Sequence, residues 1–226
     1  MGSPPRQLAL ALDHAEKLSR EDFLPGPPND AALAMIERWP DWPARTLAIS
    51  GPEGSGKSHL ASIWAATSGA RVLSAHALQT VLLPDALATG ALVLENCGEG
   101  AFEERALFHL LNLVREHEGH LLMIGRTVPA LWNVTLPDLS SRLRAVPVIA
   151  VAIPDDALLR AVMVKLFADR QLAVDESLVT YLLTRVGRSF GAVQAAVQAL
   201  DREALQRKRP VTRALASELF RDGAGG

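Results

Sequence analysis

The stretch GPEGSGKSHL, residues 51–60, decides how this chain is read. It fits the spacing G-x-x-x-x-G-K-[ST], with Gly51, Gly56, Lys57 and Ser58 at the fixed positions. Glycines let a backbone curl so that successive N–H groups, here including those of Gly54 and Ser55, point inward at phosphate oxygens. A helix opening at Gly56 adds the positive end of its dipole to the same spot. Lys57 has the length to reach the outer phosphates, and the Ser58 hydroxyl is a ligand type that magnesium accepts. Such a motif carries weight only between a strand and a helix. TLAIS (46–50) is a short apolar run, and SHLASIWAATSG (58–69) reads as a helix ending at Gly69, so both conditions hold. A glycine-rich turn matching by chance is the competing reading, and the flanks disfavour it.

Working outward, β and α signals alternate. NDAALAMIERW (29–39) has apolar residues at helical spacing, with Asn29 as the expected N-cap. RVLSA (71–75), ALVLE (91–95), HLLMIG (120–125) and VPVIAVAI (146–153) read as strands, with a helix over 101–117 between the second and third of these. Strands separated by helices predict a parallel sheet covered on both faces. After residue 154 the strand signal stops. Residues 155–170, 175–187, 189–209 and 211–222 each carry helical spacing, with Asp175 as an N-cap and Pro210 as a stop. The expected fold class is α/β, a phosphate-loop parallel sheet followed by a small all-helical lid. The expected divisions are an arm (1–22), an α/β base (23–154) and the lid (155–226).

Composition narrows the class. The chain has 226 residues, of which 49% are hydrophobic and 21% charged, enough for a substantial core. A net charge of −2 gives no global pull toward nucleic acid or anionic lipid, so sequence-specific DNA binding is not expected. Cys97 is the single cysteine, which excludes an internal disulfide and suits a reducing cytoplasm. The longest apolar run, 145–154, is too short to span a bilayer, and no secretory or myristoylation signal is legible.

The N-terminal QLALAL (7–12) alternates Leu8, Leu10 and Leu12 with alanines behind Gln7, an extended pattern ahead of a polar stretch. Such a peptide suits a partner's groove, although a strand packing on its own domain has the same pattern. His109, His117 and His120 lack metal-ligand spacing. The run RKR (207–209) sits where a helix C-terminus favours cations in any case. The four tryptophans, Trp39, Trp42, Trp64 and Trp132, suit core anchoring.

Taken together these segments resemble the Hda family of DnaA-related AAA+ regulators. His59-Leu60 directly after Lys57-Ser58 is typical of the DnaA branch. EDFLPGPPNDAAL (21–33) is similar to that branch's leading segment, which lines the adenine site; the resemblance implies nucleotide contacts from Phe23, Leu24, Pro25 and His59. LPDLSSRL (136–143) is similar to the family's arginine box and implies that Arg142 acts as a finger on a neighbour's nucleotide. Arg144 is the close competitor, and Asp138 is placed to cap that short helix or to pair with Arg142. QLALAL is similar to the family's docking motif for the DNA polymerase sliding clamp. With residues 155–226 assigned to the lid, a DNA-binding helix-turn-helix domain after it is not expected. The resemblance implies ADP or ATP with Mg2+ as cofactors, and the clamp, DnaA and a second copy of the chain as candidate partners.

Three positions depart from the family pattern. After the third strand, LVLENCGEG offers Glu95 for magnesium but neutral Asn96 where a base is usual, with Glu99 beyond the expected strand end. Arg126 stands where the branch commonly has an aspartate. Gly191 stands near the lid arginine of relatives, and Arg188, three residues earlier, is the candidate substitute. Each loss removes a group that would stabilise charge in a transition state, so weak or absent intrinsic ATPase activity is expected. Two other readings stay open: an autonomous AAA+ motor or loader, and a DnaA-like loader that does not use the clamp.

Overall fold

A computed structural model describes residues 18–80 and 83–220 of the chain. The arm residues Gln7, Leu8, Leu10 and Leu12 lie outside the described residues.

Apolar strands sort their side chains to two faces with a period of two. In β3 (Ala91–Cys97) Ala91 and Val93 face one side and Leu92 and Leu94 the other; in β4 (His120–Gly125) Leu122 and Ile124 oppose Leu121 and Met123. With β1 (Thr46–Ser50), β2 (Arg71–Ser74) and β5 (Val148–Ala150) they form a five-stranded sheet in the order β2-β3-β4-β1-β5, every pair parallel. Parallel pairing needs crossovers, and these supply the helices that bury each face. On one face lie α1 (Asp30–Glu37) and α2 (Lys57–Ser68), with Trp64 fully buried among Leu47, Ile49 and Val93. On the other lie α3 (Leu83–Ala86), α4 (Glu104–Glu116) and α5 (Pro137–Arg144), with Leu107, Leu110 and Leu139 on Leu94 and Met123.

The last four helices are α6 (Asp156–Asp169), α7 (Glu176–Leu183), α8 (Phe190–Arg207) and α9 (Arg213–Leu219). They enclose a core of their own around Met163, Phe167, Leu178, Leu182, Val197 and Leu200. The side chains of Asp155, Asp175, Ser189 and Thr212 each accept a backbone N–H from the first turn of their helix, which fixes the four starts.

Three local expectations need correction. The strand expected over 146–153 is regular only at Val148–Ala150. It lies at the sheet edge, and beyond Ala150 its backbone turns to other acceptors: Val151 donates to the Ser50 carbonyl (2.7 Å) and Ala152 to that of Pro28 (3.0 Å). Asn29 stands at the N-cap of α1 without capping it. Its buried side chain accepts from the Gly26 N–H (2.9 Å) and donates to the Leu24 carbonyl (3.2 Å), so it pins the segment before the helix instead. Asp138 does not cap α5, because it already lies in the helix's first turn.

The helical core is tested by Phe167→Ala. The ring is 0% exposed between α6 and its neighbours. Its loss is expected to cost about 3–5 kcal/mol, read as a lower urea midpoint with an unchanged far-ultraviolet spectrum before the transition.

Candidate functional site

The loop after β1 is built around its own carbonyls. Ser55 is buried and its hydroxyl donates to the Pro52 carbonyl (2.9 Å); the Lys57 ammonium donates to the same oxygen (2.6 Å). Gly54 and Gly56 have φ of 72° and 90°, a region costly for any other residue. They also lack space. A Cβ on Gly54 would lie 2.4 Å from that of Ser189, and one on Gly56 would lie 3.1 Å from the Phe190 ring. The Phe190 N–H donates to the Gly54 carbonyl at 3.1 Å, so the loop and the start of α8 are held together.

Between them opens a cleft of about 680 Å³. One end is apolar, with Phe23, Leu24, Val162, Leu166 and Phe190 on its walls. Phe23 is buried and meets the His59 ring edge to face at 5.0 Å, and His59 Nε2 lies 2.8 Å from the Ser19 carbonyl. Lys165 borders this end and donates to Asp22 (2.8 Å) and Asp169 (2.7 Å), hydrogen bonds that raise its pKa. The other end is charged and contains Lys57, Glu53, Glu95, Glu99 and Arg126. Burial lowers the Lys57 pKa. Glu99 and Glu53 oppose that shift, and the nearby Arg126 guanidinium adds to it. A half-desolvated ammonium of this kind gains from an anion beside it. Together with the tight glycine cradle, this donor set fits a nucleotide's phosphates, and the apolar end fits its base.

Of the residues singled out by sequence, Phe23, Leu24, Gly54, Gly56, Lys57, Ser58, His59 and Glu95 line this one cleft. Ser55 sits beneath the loop, and Pro25 is exposed outside the lining. Arg188 is also outside it, pairing with Asp156 at 2.7 Å on the surface. Gly191 does line the cleft, with open space where a side chain would begin. Asn96 lines it too, in the left-handed conformation (φ 57°), its amide donating to Ser74 Oγ at 3.4 Å. Glu99 lies beyond β3, as expected, yet the turn at Gly98 carries it back over the cleft. Sequence reasoning missed Glu53 and Lys165 altogether; neither falls on a fixed motif position, and only the fold brings them here. Cys97 is buried, and burial drives its thiol pKa far up, which suits packing rather than nucleophilic chemistry.

Arg142 is elsewhere. It lies on α5 in a second groove with Arg45 and Arg115, its guanidinium 4.9 Å from the centre of the Phe108 ring. Arg144 is exposed. The helix carrying both is anchored at its start by Glu104, whose carboxylate accepts the N–H groups of Thr135 (2.9 Å) and Leu136 (2.9 Å).

The fold is that of solved AAA+ proteins. Domain III of the Thermotoga maritima replication initiation protein DnaA is similar over 94% of this chain and 99% of that one, with a TM-score of 0.74 and 18% identity. AMPPCP-bound DnaA from Aquifex aeolicus is similar over 86% of this chain and 69% of that one, with a TM-score of 0.67 and 18% identity. The Thermotoga maritima RuvB Holliday junction branch migration motor is similar over 90% and 71%, with a TM-score of 0.70 and 13% identity. At these identities the likeness is one of fold. No family model matches the chain, and no curated protein does. Among the described residues no helix is long and apolar enough to cross a membrane.

The Glu104 anchor makes a pH prediction. The Thr135 N–H, followed by the remaining hydrogen bonds, holds the Glu104 pKa below the usual glutamate range despite slight desolvation. A depressed carboxylate pKa adds stability above the unfolded value, and that stability is lost as pH falls through the folded one. Wild type is therefore expected to exceed Glu104→Gln by about 1 kcal/mol at pH 7. The gap is expected to narrow as pH falls below the unfolded value of about 4.3 and to close once pH has passed the lower folded one. Urea titrations of both proteins at a series of pH values check this; a gap independent of pH would mean the charge has no role.

Proposed function

We propose that the protein is a DnaA-related AAA+ regulator of the Hda type, which holds an adenine nucleotide and acts on a partner's nucleotide instead of consuming its own. The observation that carries this reading is the junction of Gly54 with Ser189 and Phe190, which sets the phosphate loop against the first turn of α8. A nucleotide in the cleft would lie between the sheet and helices α6–α9, which act as the lid. Backbone N–H groups from Gly54 to Ser58 would take the phosphates, with Lys57 as their cation. Ser58 and Glu95 would hold Mg2+, which when bound neutralises phosphate charge. Phe23, Leu24 and His59 would close the base end. That similar folds have been solved with AMPPCP supports the choice of an adenine nucleotide.

Slow turnover follows from what surrounds the charged end. Asn96 has no basicity, so it cannot take a proton from water. Glu99 has basicity but is engaged by Arg126 at 3.1 Å. Arg188 is occupied with Asp156. Glu99 is also the one observation favouring the alternative, an autonomous ATPase, because it places a carboxylate beside the phosphate end of the cleft.

In the regulatory reading, Gln7, Leu8, Leu10 and Leu12 dock on the sliding clamp in the cytoplasm, and Arg142 is presented to ATP on DnaA. A guanidinium suits that role because it stays charged and offers a planar fork to phosphate oxygens. Its hold on Phe108 is a cation–π contact of modest strength that a phosphate could outcompete.

The test is turnover of DnaA-bound ATP in the presence of clamp on DNA. Wild type is expected to accelerate it, and Arg142→Ala is expected to lose most of an effect that for fingers supplied in trans reaches ~10³–10⁵-fold. Arg144→Ala should retain it. Alone, the protein should turn over ATP far below the ~1–10³ s⁻¹ usual for enzymes. Robust turnover by the isolated protein, or full stimulation by Arg142→Ala, would reject this function. Lys57→Ala should abolish binding of ADP, measured by calorimetry.

A further inference from the structure

Phe190, at the start of α8, lines the cleft, and the helix then carries the chain about 25 Å away before Arg207. That far end is crowded with positive charge. Residues 177–217 carry seven lysines and arginines against two carboxylates, in a chain whose net charge is −2. Arg185 follows α7, Arg202 and Arg207 lie on α8, Lys208 and Arg209 end it, and Arg213 opens α9. All six are exposed. Arg207 donates to Glu203 and Glu218, both at 2.5 Å. Among the described residues none of the other five has an ion-pair partner.

The dipole at the C-terminus of α8 favours Arg207, Lys208 and Arg209. It does not account for Arg213, the first residue of α9, where the dipole opposes a cation. What holds Arg213 there is Tyr181. That residue is only 8% exposed, and the guanidinium carbons of Arg185 and Arg213 lie over its ring, 3.9 and 5.5 Å from the centre. Two like charges from two helices are thus fixed on one ring. Asp175 lies within the field of Arg213, but its carboxylate is already engaged by the Ser177 hydroxyl (2.7 Å) and the Leu178 N–H (2.8 Å). Cations gathered against their own repulsion gain from an anion outside the protein. With Arg209 four residues before Arg213, the charges form a band across three helix ends. A band suits a ligand whose charges are strung along a line rather than a single bound anion. Four of the five unpaired cations are guanidiniums, which offer phosphate oxygens a planar fork.

We propose that this band, centred on Arg185, Arg209 and Arg213, is a docking surface for the phosphate backbone of duplex DNA, bound without regard to sequence. Binding of this kind is driven by the release of counterions as phosphates are neutralised, so it needs exposed cations and no pocket. The net charge of −2 does not oppose it, because at physiological salt exposed charges more than about 8–10 Å away are largely screened. The surface lies at the opposite end of α8 from the cleft, so it stands apart from the nucleotide reading. The helical unit would then face the cleft with one end and DNA with the other.

Fluorescence anisotropy, without nucleotide, measures binding to two short duplexes of unrelated sequence between ~50 and ~200 mM NaCl. Wild type is expected to bind both alike and to weaken steeply as salt rises. Arg209→Gln and Arg213→Gln should each reduce the slope of log affinity against log salt by about one, and weaken binding at low salt by about threefold or more, equally on both duplexes. Arg71→Gln, which removes an exposed arginine from β2 at the edge of the sheet, should change neither. Arg209 makes no side-chain hydrogen bond or ion pair among the described residues, so its arm stands even if Arg213→Gln, which uncovers Tyr181, folds poorly. Thermal melts verify folding of each variant. The inference is overturned by any of four results: no binding of wild type at the lowest salt, a slope unchanged in folded Arg209→Gln or equally reduced in Arg71→Gln, a preference between the duplexes, or tighter binding to polyglutamate or phosphatidylserine vesicles than to DNA. Each leaves the nucleotide site standing.

Discussion

In a parallel sheet all strands run out at one edge, and the loops that follow them share one small region of space. Every polar group at the phosphate end of this cleft depends on that constraint. Lys57 follows β1, Arg126 follows β4, and Glu95 and Glu99 sit at and after the end of β3. The register holds them level: Ser50 pairs with Gly125, and Gly125 with Cys97. The irregular step between Leu94 and Cys97 lets Asn96 adopt its left-handed conformation while Cys97 stays in the core. Between loops Gly51 has no room for a side chain, since a Cβ there would lie 2.2 Å from the Val151 carbonyl oxygen, so the chain just after β5 presses directly on the start of the phosphate loop.

The helical unit completes the cleft from the other side. Its position is set by few contacts, chiefly Ser189 and Phe190 on Gly54 and Gly56, and Lys165 reaching back to Asp22. The core beneath these contacts is extensive and separate from the two cores of the sheet. A bound nucleotide would therefore be gripped between elements that are each well packed internally and joined across a narrow seam. At the charged end of the cleft Glu99 is tied to Arg126, and Asn96, next to Glu95, is a neutral amide.

Much of the fold was legible because the pattern is local. β1 and β4 run as their apolar stretches read, since a strand buried on both faces has an apolar run with clear ends. The helix after the phosphate loop begins at Lys57, one residue before the expected start. What was not legible is relational. The edge strand β5 looked longer because extended, apolar chain reads alike whether it ladders with a neighbour or crosses over Ser50 and Pro28. Asn29 has the right residue type for a cap, but its side chain found nearer backbone partners in the preceding turn. Within the candidate site, Lys57 and Ser58 were announced by spacing, whereas the pairing of Arg126 with Glu53 and Glu99 joins residues far apart in sequence and follows no periodicity.

Under the proposed function an adenine nucleotide sits between the phosphate loop and helices α6 and α8 and draws them together. Amide hydrogen exchange of the wild-type chain with and without ADP and Mg2+ is the decisive measurement. Slowed exchange is expected in residues 51–60, in the segment around Phe23 and Leu24, and in the first turn of α8, with the far ends of α8 and α9 unchanged. Nucleotide-dependent protection confined to other parts of the chain, or none at all at saturating ADP, would contradict it.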